Sequence, residues 1–208
     1  MELPPIDANA ADSRQRLIQA AAEMFMKEGY RASIERIASC AGVARQTVYN
    51  HFSSKDDLFS EVANIAAGTI LISLDGEEEE VRERLLRFAL ALRRRVLGEE
   101  GLAMFRAIAA EAPRFPALGR AFFVKGPEQT LSRLAAFLAQ AMEEGKLRRD
   151  DPRFAAELLI SMLEGFERLR RLFGADPSPE VQEEEQAARI VDSFLRAYRP
   201  SLEGSAHG

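Results

Sequence analysis

Between residues 45 and 55 the chain gathers side chains that can hydrogen-bond outward: Arg45, Gln46, Thr47, Tyr49, Asn50, His51 and Lys55. Arginine, glutamine and asparagine present paired groups to a base edge, whereas threonine, tyrosine and lysine bond phosphate oxygens. Nothing comparable supports bond-making chemistry. The histidines are His51 and His207, the one cysteine is Cys40, and no His, Cys or carboxylate set stands at metal-ligand spacing. No glycine-rich phosphate loop follows a strand, and no nucleophile has a partnered base. The expectation is recognition without catalysis: no enzyme, no metal and no cofactor.

Such groups act together only if short helices hold them on one outward face. Ser33 can cap a short helix carrying Ile34, Ile37 and Ala38, which ends near Ala41 and Gly42. Val43 starts the next. A sharp crossing needs a small residue at the contact and a turn that tolerates left-handed backbone, and Ala38 and Gly42 supply these. With Ile37, Val43 and Val48 inward, helical geometry turns Arg45, Gln46, Thr47, Tyr49 and Asn50 outward. The competing reading is a plain αα-corner with a polar face, in which Tyr49 merely packs. His51 reads as phosphate-facing or capping rather than as a ligand, and Cys40 as a small residue on the second helix.

Charge distribution bears on the choice. The net charge of −5 disfavours a polyanionic partner, yet from Asp12 to Lys55 seven basic residues face four acidic ones, a local +3 that leaves −8 for the rest. That asymmetry is expected of a basic head on an acidic body.

The stretch reads I-A-x-x-A-G-V from Ile37, T-V-Y-x-H-F from Thr47 and K-D-D-L from Lys55. In order and spacing across Ser13 to Phe59, it resembles the TetR family of bacterial regulators. The resemblance implies that Thr47 and Tyr49 touch the DNA backbone, that Gln46 and its neighbours approach bases, and that Lys55 meets a phosphate at the start of the fourth helix. The DNA-contacting set is then Ser33, Arg45, Gln46, Thr47, Tyr49, Asn50, His51 and Lys55. Ala44 departs from the family, which has a capping Ser or Thr there.

The remaining pattern is all-α, a three-helix helix-turn-helix followed by a helical bundle, about nine helices in all. Leu17, Ile18, Ala21 and Phe25 recur at helical spacing from about Ser13 to Glu28, and Ser54 with Asp57 opens a helix toward Leu74. Further helices are expected at about Val81 to Leu97, Gly101 to Glu111, Ala117 to Val124, Glu128 to Glu144, Pro152 to Phe173 and Pro179 to Tyr198. Glycines and prolines punctuate them, and no period-2 alternation is sustained. The domains read as a loose tail over 1–11, the DNA-binding head over 12–58, a ligand-binding and dimerisation part over 59–199 and a loose tail over 200–208. A single cysteine, no charged-then-apolar leader and apolar runs far short of a membrane span point to the cytoplasm and away from membranes.

Ten of the 13 phenylalanines follow residue 75. Most aromatics at helical spacing are core, but joined with the methionines they also suit an adaptable apolar cavity between helices. The candidate lining is Phe88, Met104, Phe105, Ile108, Phe122, Phe123, Phe137, Met162 and Phe166, with Glu111, Glu164, Arg106 and Ser161 as polar residues within reach. The segments A-P-R-F-P from Ala112, G-P from Gly126 and G-K-L-R-R-D-D-P from Gly145 resemble the ligand domain of the AefR-type subgroup of TetR regulators. Two apolar stripes on the last long helices, Phe154, Leu158 and Leu169 on one and Ile190, Phe194, Leu195 and Tyr198 on the other, form the candidate homodimer contact. Gly165, mid-helix, suggests a close crossing or room for a ligand. Together these expectations describe a homodimer on a palindromic double-stranded operator, a repressor released by an apolar or amphipathic small molecule. The alternative is an activator with the same head, because sign depends on where the operator lies.

Overall fold

A computed structural model of the chain describes residues 8–76, 80–175 and 183–200, with side chains from Asp12 onward except Ala66 and Ile72. Among the described residues all regular structure is helical. The helices are α1 (Ala8–Glu28), α2 (Ile34–Cys40), α3 (Arg45–His51), α4 (Lys55–Leu71), α5 (Val81–Leu97), α6 (Glu99–Glu111), α7 (Pro116–Lys125), α8 (Pro127–Glu143), α9 (Pro152–Leu172) and α10 (Glu183–Ala197), with 3-10 turns at Gly29–Arg31 and Ile72–Leu74. None is long and apolar enough to cross a membrane.

Boundaries follow local chemistry. Pro116 and Pro152 sit in the first turns of α7 and α9, where a missing N–H costs nothing, and the Asp151 carboxylate accepts from the amides of Arg153 (2.8 Å) and Phe154 (3.3 Å). The start of α1 corrects the sequence reading. It begins at Ala8, not Ser13, because Ala8, Asn9, Ala10 and Ala11 contain no breaker, so Asp12 pairs with Arg16 one turn on (3.3 Å) instead of capping. Residues 8–11 of the expected N-terminal tail are therefore helical. Residues 1–7 and 201–208 of the two expected tails, and 179–182 of the expected last helix, lie outside the described residues.

The described chain divides into two compact units: one runs to Ala66 and takes in Ala103–Gly126, the other comprises Ala67–Leu102 and the described residues from Pro127 onward. The first unit is thus larger than a head ending at residue 58. Met104, Ile108 and Leu118 complete the apolar interior formed by Leu17, Ala21, Phe25, Ile37, Val48, Leu58 and Phe59. Phe25 and Phe59 meet edge to face at 4.8 Å, each at most 1% exposed, and burying each such ring stabilises by about 1.5–3 kcal/mol.

The second unit packs α5, α8, α9 and α10 around Leu85, Phe88, Leu92, Leu134, Phe137, Leu138, Ala155, Leu159, Leu163, Val191 and Phe194. Bidentate ion pairs clasp its rim, Arg153 to Glu128 (2.8 and 2.9 Å) and Arg82 to Asp192 (2.7 and 3.1 Å). The ring of Tyr198 stacks on Phe194 at 4.5 Å, while Arg148 covers that ring and bonds the carbonyls of Ala197 and Tyr198. One helix is broken. Gly165, inside α9, adopts φ 45 and ψ −152, and the buried Arg93 guanidinium donates to the carbonyl of Leu163 at 2.7 Å.

Candidate nucleic-acid interface

The turn between α2 and α3 is built by backbone hydrogen bonding. Ser33 Oγ accepts from the Arg36 amide (3.2 Å) and so starts α2. At its end Gly42 takes φ 65, the Gly42 amide reaches the Ser39 carbonyl (3.1 Å) and the Val43 amide the Ala38 carbonyl (3.0 Å). These two bonds are the Schellman arrangement, and its left-handed position favours glycine. The chain then re-enters a helix at Arg45 with Ala44 as an N-cap that makes no side-chain bond. Ala44 thus leaves an amide uncapped, as its side chain predicts.

On α3 the division of faces is sharp. Val48 is 1% exposed, inside with Ile37 and Ala38, while Arg45, Gln46, Tyr49 and Asn50 are exposed and Thr47 and His51 half-buried. Val43 packs only partly into the core. Gln46 Nε2 donates to Asn50 Oδ1 (3.2 Å), and the Arg45 guanidinium lies 5.6 Å from the centre of the Tyr49 ring. The outward row is therefore pre-ordered. It also carries a carboxylate partner, Glu35 of α2, whose Oε1 stands 3.1 Å from Arg45 Nη1. Its own backbone amide first, and Arg45 next, hold Glu35 below the usual carboxylate range, while Tyr49 and then Glu35 hold Arg45 above its usual value. The periodicity of one helix carries no sign of Glu35, because the pairing crosses the turn.

Lys55 opens α4 half-buried. Its Nζ donates to the Tyr30 carbonyl and stands 4.1 Å from the centre of the Tyr30 ring, while the Tyr30 hydroxyl donates to Asp56. Burial lowers the Lys55 pKa against the opposing pull of Asp56 and Glu111, and burial, with the Asp56 bond second, raises that of Tyr30. The expected capping box at Ser54 is present in altered form: the Asp57 amide donates to Ser54 Oγ (3.1 Å), but the Asp57 carboxylate accepts from the Ser53 amide (2.9 Å).

Of the nine expected pocket residues, five belong to the first unit and four to the second. Met104 and Ile108 belong to the core of the first unit, with Phe122 packed against it, and Phe105 and Phe123 are exposed. Phe88 and Phe137 fill the core of the second unit at 0% and 8% exposure, so they act as packing rather than as lining of an open space. Helical period reveals a shared face but not what covers it. Met162 and Phe166 do line a cavity in the second unit, of about 360 Å3, with Arg93, Glu164, Gly165, Arg170, Arg171 and Glu183 among its walls. Of the other polar candidates, Glu111 pairs instead with Arg31 in the first unit (3.2 Å). The sequence did hold one signal for Arg93: it falls four residues after Ala89 on the face that buries Leu85 and Leu92, where a cation must be paired.

The expected dimer stripes divide in the same way. Phe194 and Tyr198 are each 1% exposed within their own unit and so are closed to a partner, and Leu158, Ile190 and Leu195 pack partly against that core. Phe154 and Leu169 remain exposed, and they share α9 and its C-terminal end with exposed Phe166 and Phe173.

Comparison with known proteins places this geometry. Residues 17–62 match a family model described as bacterial regulatory proteins, tetR family, and residues 83–200 one described as AefR-like transcriptional repressor, C-terminal domain. A crystal structure of a TetR-family transcriptional regulator from Mesorhizobium loti is similar at TM-score 0.75 and 30% identity, over 93% of this chain and 100% of that one. The flavonoid-responsive regulator FrrA is similar at TM-score 0.71 and 31% identity, over 91% and 98%. The transcriptional regulator AcrR of Shigella flexneri is 37% identical over 62 residues, 29% of each chain. The chain thus aligns with under a third of that curated relative's length.

Proposed function

The chain belongs to the TetR family of bacterial regulatory proteins, with an AefR-like C-terminal domain, and is a DNA-binding transcriptional regulator; from that premise we propose that it is a cytoplasmic homodimeric repressor of a palindromic operator. An apolar or amphipathic small molecule releases it. The observation that carries the reading is the exposed row Arg45, Gln46, Tyr49 and Asn50 on α3, held outward by buried Val48.

In this reading α3 enters the major groove. Gln46 and Asn50 reach base edges, Arg45 exchanges Glu35 for the DNA, and Thr47 and Tyr49 bond the backbone. Ser33 and His51 flank them at the phosphates. Lys55 has donors beyond the one given to Tyr30, and these supply a phosphate contact. One recognition helix offers few base contacts, whereas two copies related by symmetry span half-sites roughly 34 Å apart or a multiple of that.

Exposed Phe154 on α9 and exposed Phe166, Leu169 and Phe173 beyond the Gly165 break support a second copy as partner, since large apolar side chains left at the surface are what a partner covers. The FrrA likeness supports small-molecule response. The ligand and dimer functions fall within residues 59–199, and the chain passes between its units within α4, within α6 and at Gly126–Pro127. Ligand binding shifts the population toward a state whose heads no longer match the half-site spacing.

The test is selection of short genomic DNA fragments on the purified protein at near-physiological salt. One enriched palindrome, with its neighbouring gene rising on deletion of the regulator, supports a repressor. A fall in that gene's expression means an activator, and enrichment of no sequence refutes the operator reading.

A further inference from the structure

We infer that the cavity at the Gly165 break is a carboxylate-binding site for an amphipathic acid, its guanidinium donors occupied in the free protein by the side chain of Glu183. The inference rests on the reading of the second unit as effector-binding, and it specifies where the effector binds and its chemical class.

Arg93 is a cation on the apolar face of α5, 5% exposed. Its Nε donates to Glu183 Oε2 at 2.9 Å and its Nη1 to the Leu163 carbonyl at 2.7 Å. The other oxygen of the same carboxylate, Glu183 Oε1, takes a bond of 2.8 Å from Arg171 Nη2. One carboxylate is therefore shared between two guanidiniums, one of them buried. Planar, paired donors are how proteins recognise a carboxylate.

The occupant is the exchangeable part. Glu183 stands half-exposed in the first turn of α10, whereas Arg93 is fixed in the core and Arg171 is anchored by Glu167 (2.7 Å) and the Leu97 carbonyl (3.0 Å). An incoming carboxylate can take over both bonds without leaving the buried Arg93 charge unpaired, a state that strongly disfavours any neutral competitor. Arg170 adds a further cation to the wall, and of the cavity's other acids Glu164 pairs with Arg168 and Glu167 with Arg171.

Met162 and Phe166 supply the apolar side, against which an alkyl or aryl body packs. Phe166 is also among the residues assigned to contact with the second copy. Filling the cavity therefore acts on a residue of the proposed dimer contact.

The test titrates the full-length protein with decanoate and, separately, with 1-decanol, following binding by calorimetry and thermal melting. Decanoate is expected to bind and raise the melting temperature, with decanol at least tenfold weaker. Glu183→Ala removes the internal competitor and is expected to tighten decanoate binding by about tenfold, and Arg171→Gln to weaken it by a similar factor. Glu183→Gln serves should the alanine variant fail to fold. Equal binding of acid and alcohol, no binding of decanoate, or unchanged decanoate affinity in the Glu183 variants would overturn the site. Operator selection is scored separately. A protein that selects a palindrome but ignores decanoate loses the site and keeps the regulator, and one that binds decanoate but selects no DNA does the reverse.

Discussion

Replacing Gly165 by alanine separates backbone conformation from space. A Cβ built on Gly165 meets nothing within 4 Å, and the same holds for Gly68 in α4, so neither substitution is opposed by a clash. The two differ in backbone: Gly165 has φ 45 and ψ −152, Gly68 is helical. For Gly68→Ala the expected change is stabilising, by up to about 1 kcal/mol, through helix propensity and a less flexible unfolded chain. For Gly165→Ala two routes are open. If the break persists, alanine is held in a region reserved for glycine at a cost of about 1–3 kcal/mol. If α9 straightens, the propensity gain of about 1 kcal/mol is set against Arg93 losing the Leu163 carbonyl inside the core, worth about 1–3 kcal/mol. The routes leave net losses of about 1–3 and about 0–2 kcal/mol, which overlap at about 1–2 kcal/mol, and a loss of that size at this chain length lowers the melting temperature by roughly 2–8 °C. Thermal and urea unfolding followed by far-UV circular dichroism measures both variants. A Gly165→Ala protein as stable as Gly68→Ala, or more stable than the parent, refutes the account of the break.

Other expectations concern the head and the rim of the bundle. Ala44→Ser supplies the missing cap on α3 and should stabilise by about 1 kcal/mol, visible as a higher melting temperature, with operator affinity retained. Tyr49→Ala and Lys55→Ala should both weaken operator binding, and Lys55→Ala alone should flatten the plot of log affinity against log salt by about one unit. Equal slopes for Lys55→Ala and the parent would confine Lys55 to its contact with Tyr30. Hydrogen bonds from Arg153 and Arg82 hold Glu128 and Asp192 below the usual carboxylate range. The stability from these pairs is present above that range and is lost as pH falls through the depressed values. Arg153→Gln and Arg82→Gln should therefore lower stability slightly at neutral pH, converge with the parent at acid pH, and so reduce the slope of stability against pH in the acid range, as read from urea midpoints.

What the sequence determined was local. Apolar spacing together with proline and glycine placed α5 at Val81–Leu97 and put α6 to α9 within two residues of their ends, because a helix is fixed by its own propensities and caps. The turn at Gly42 and the inward Val48 were legible for the same reason, and with them the outward row of α3. The start of α1 was not, since an alanine-rich approach carries no stop. Tertiary structure alone decided what each apolar face meets. Met104 and Ile108 completed the core of the first unit, and Phe194 and Tyr198 turned inward rather than toward a partner, although their spacing would serve either role. It also decided the long-range pairings. Arg93 reaches Glu183 across 90 residues, and Arg45 finds Glu35 across a turn. Periodicity specifies that a face is buried, but the partner of a buried charge is set by which helices pack together, and that choice is made by the whole core at once.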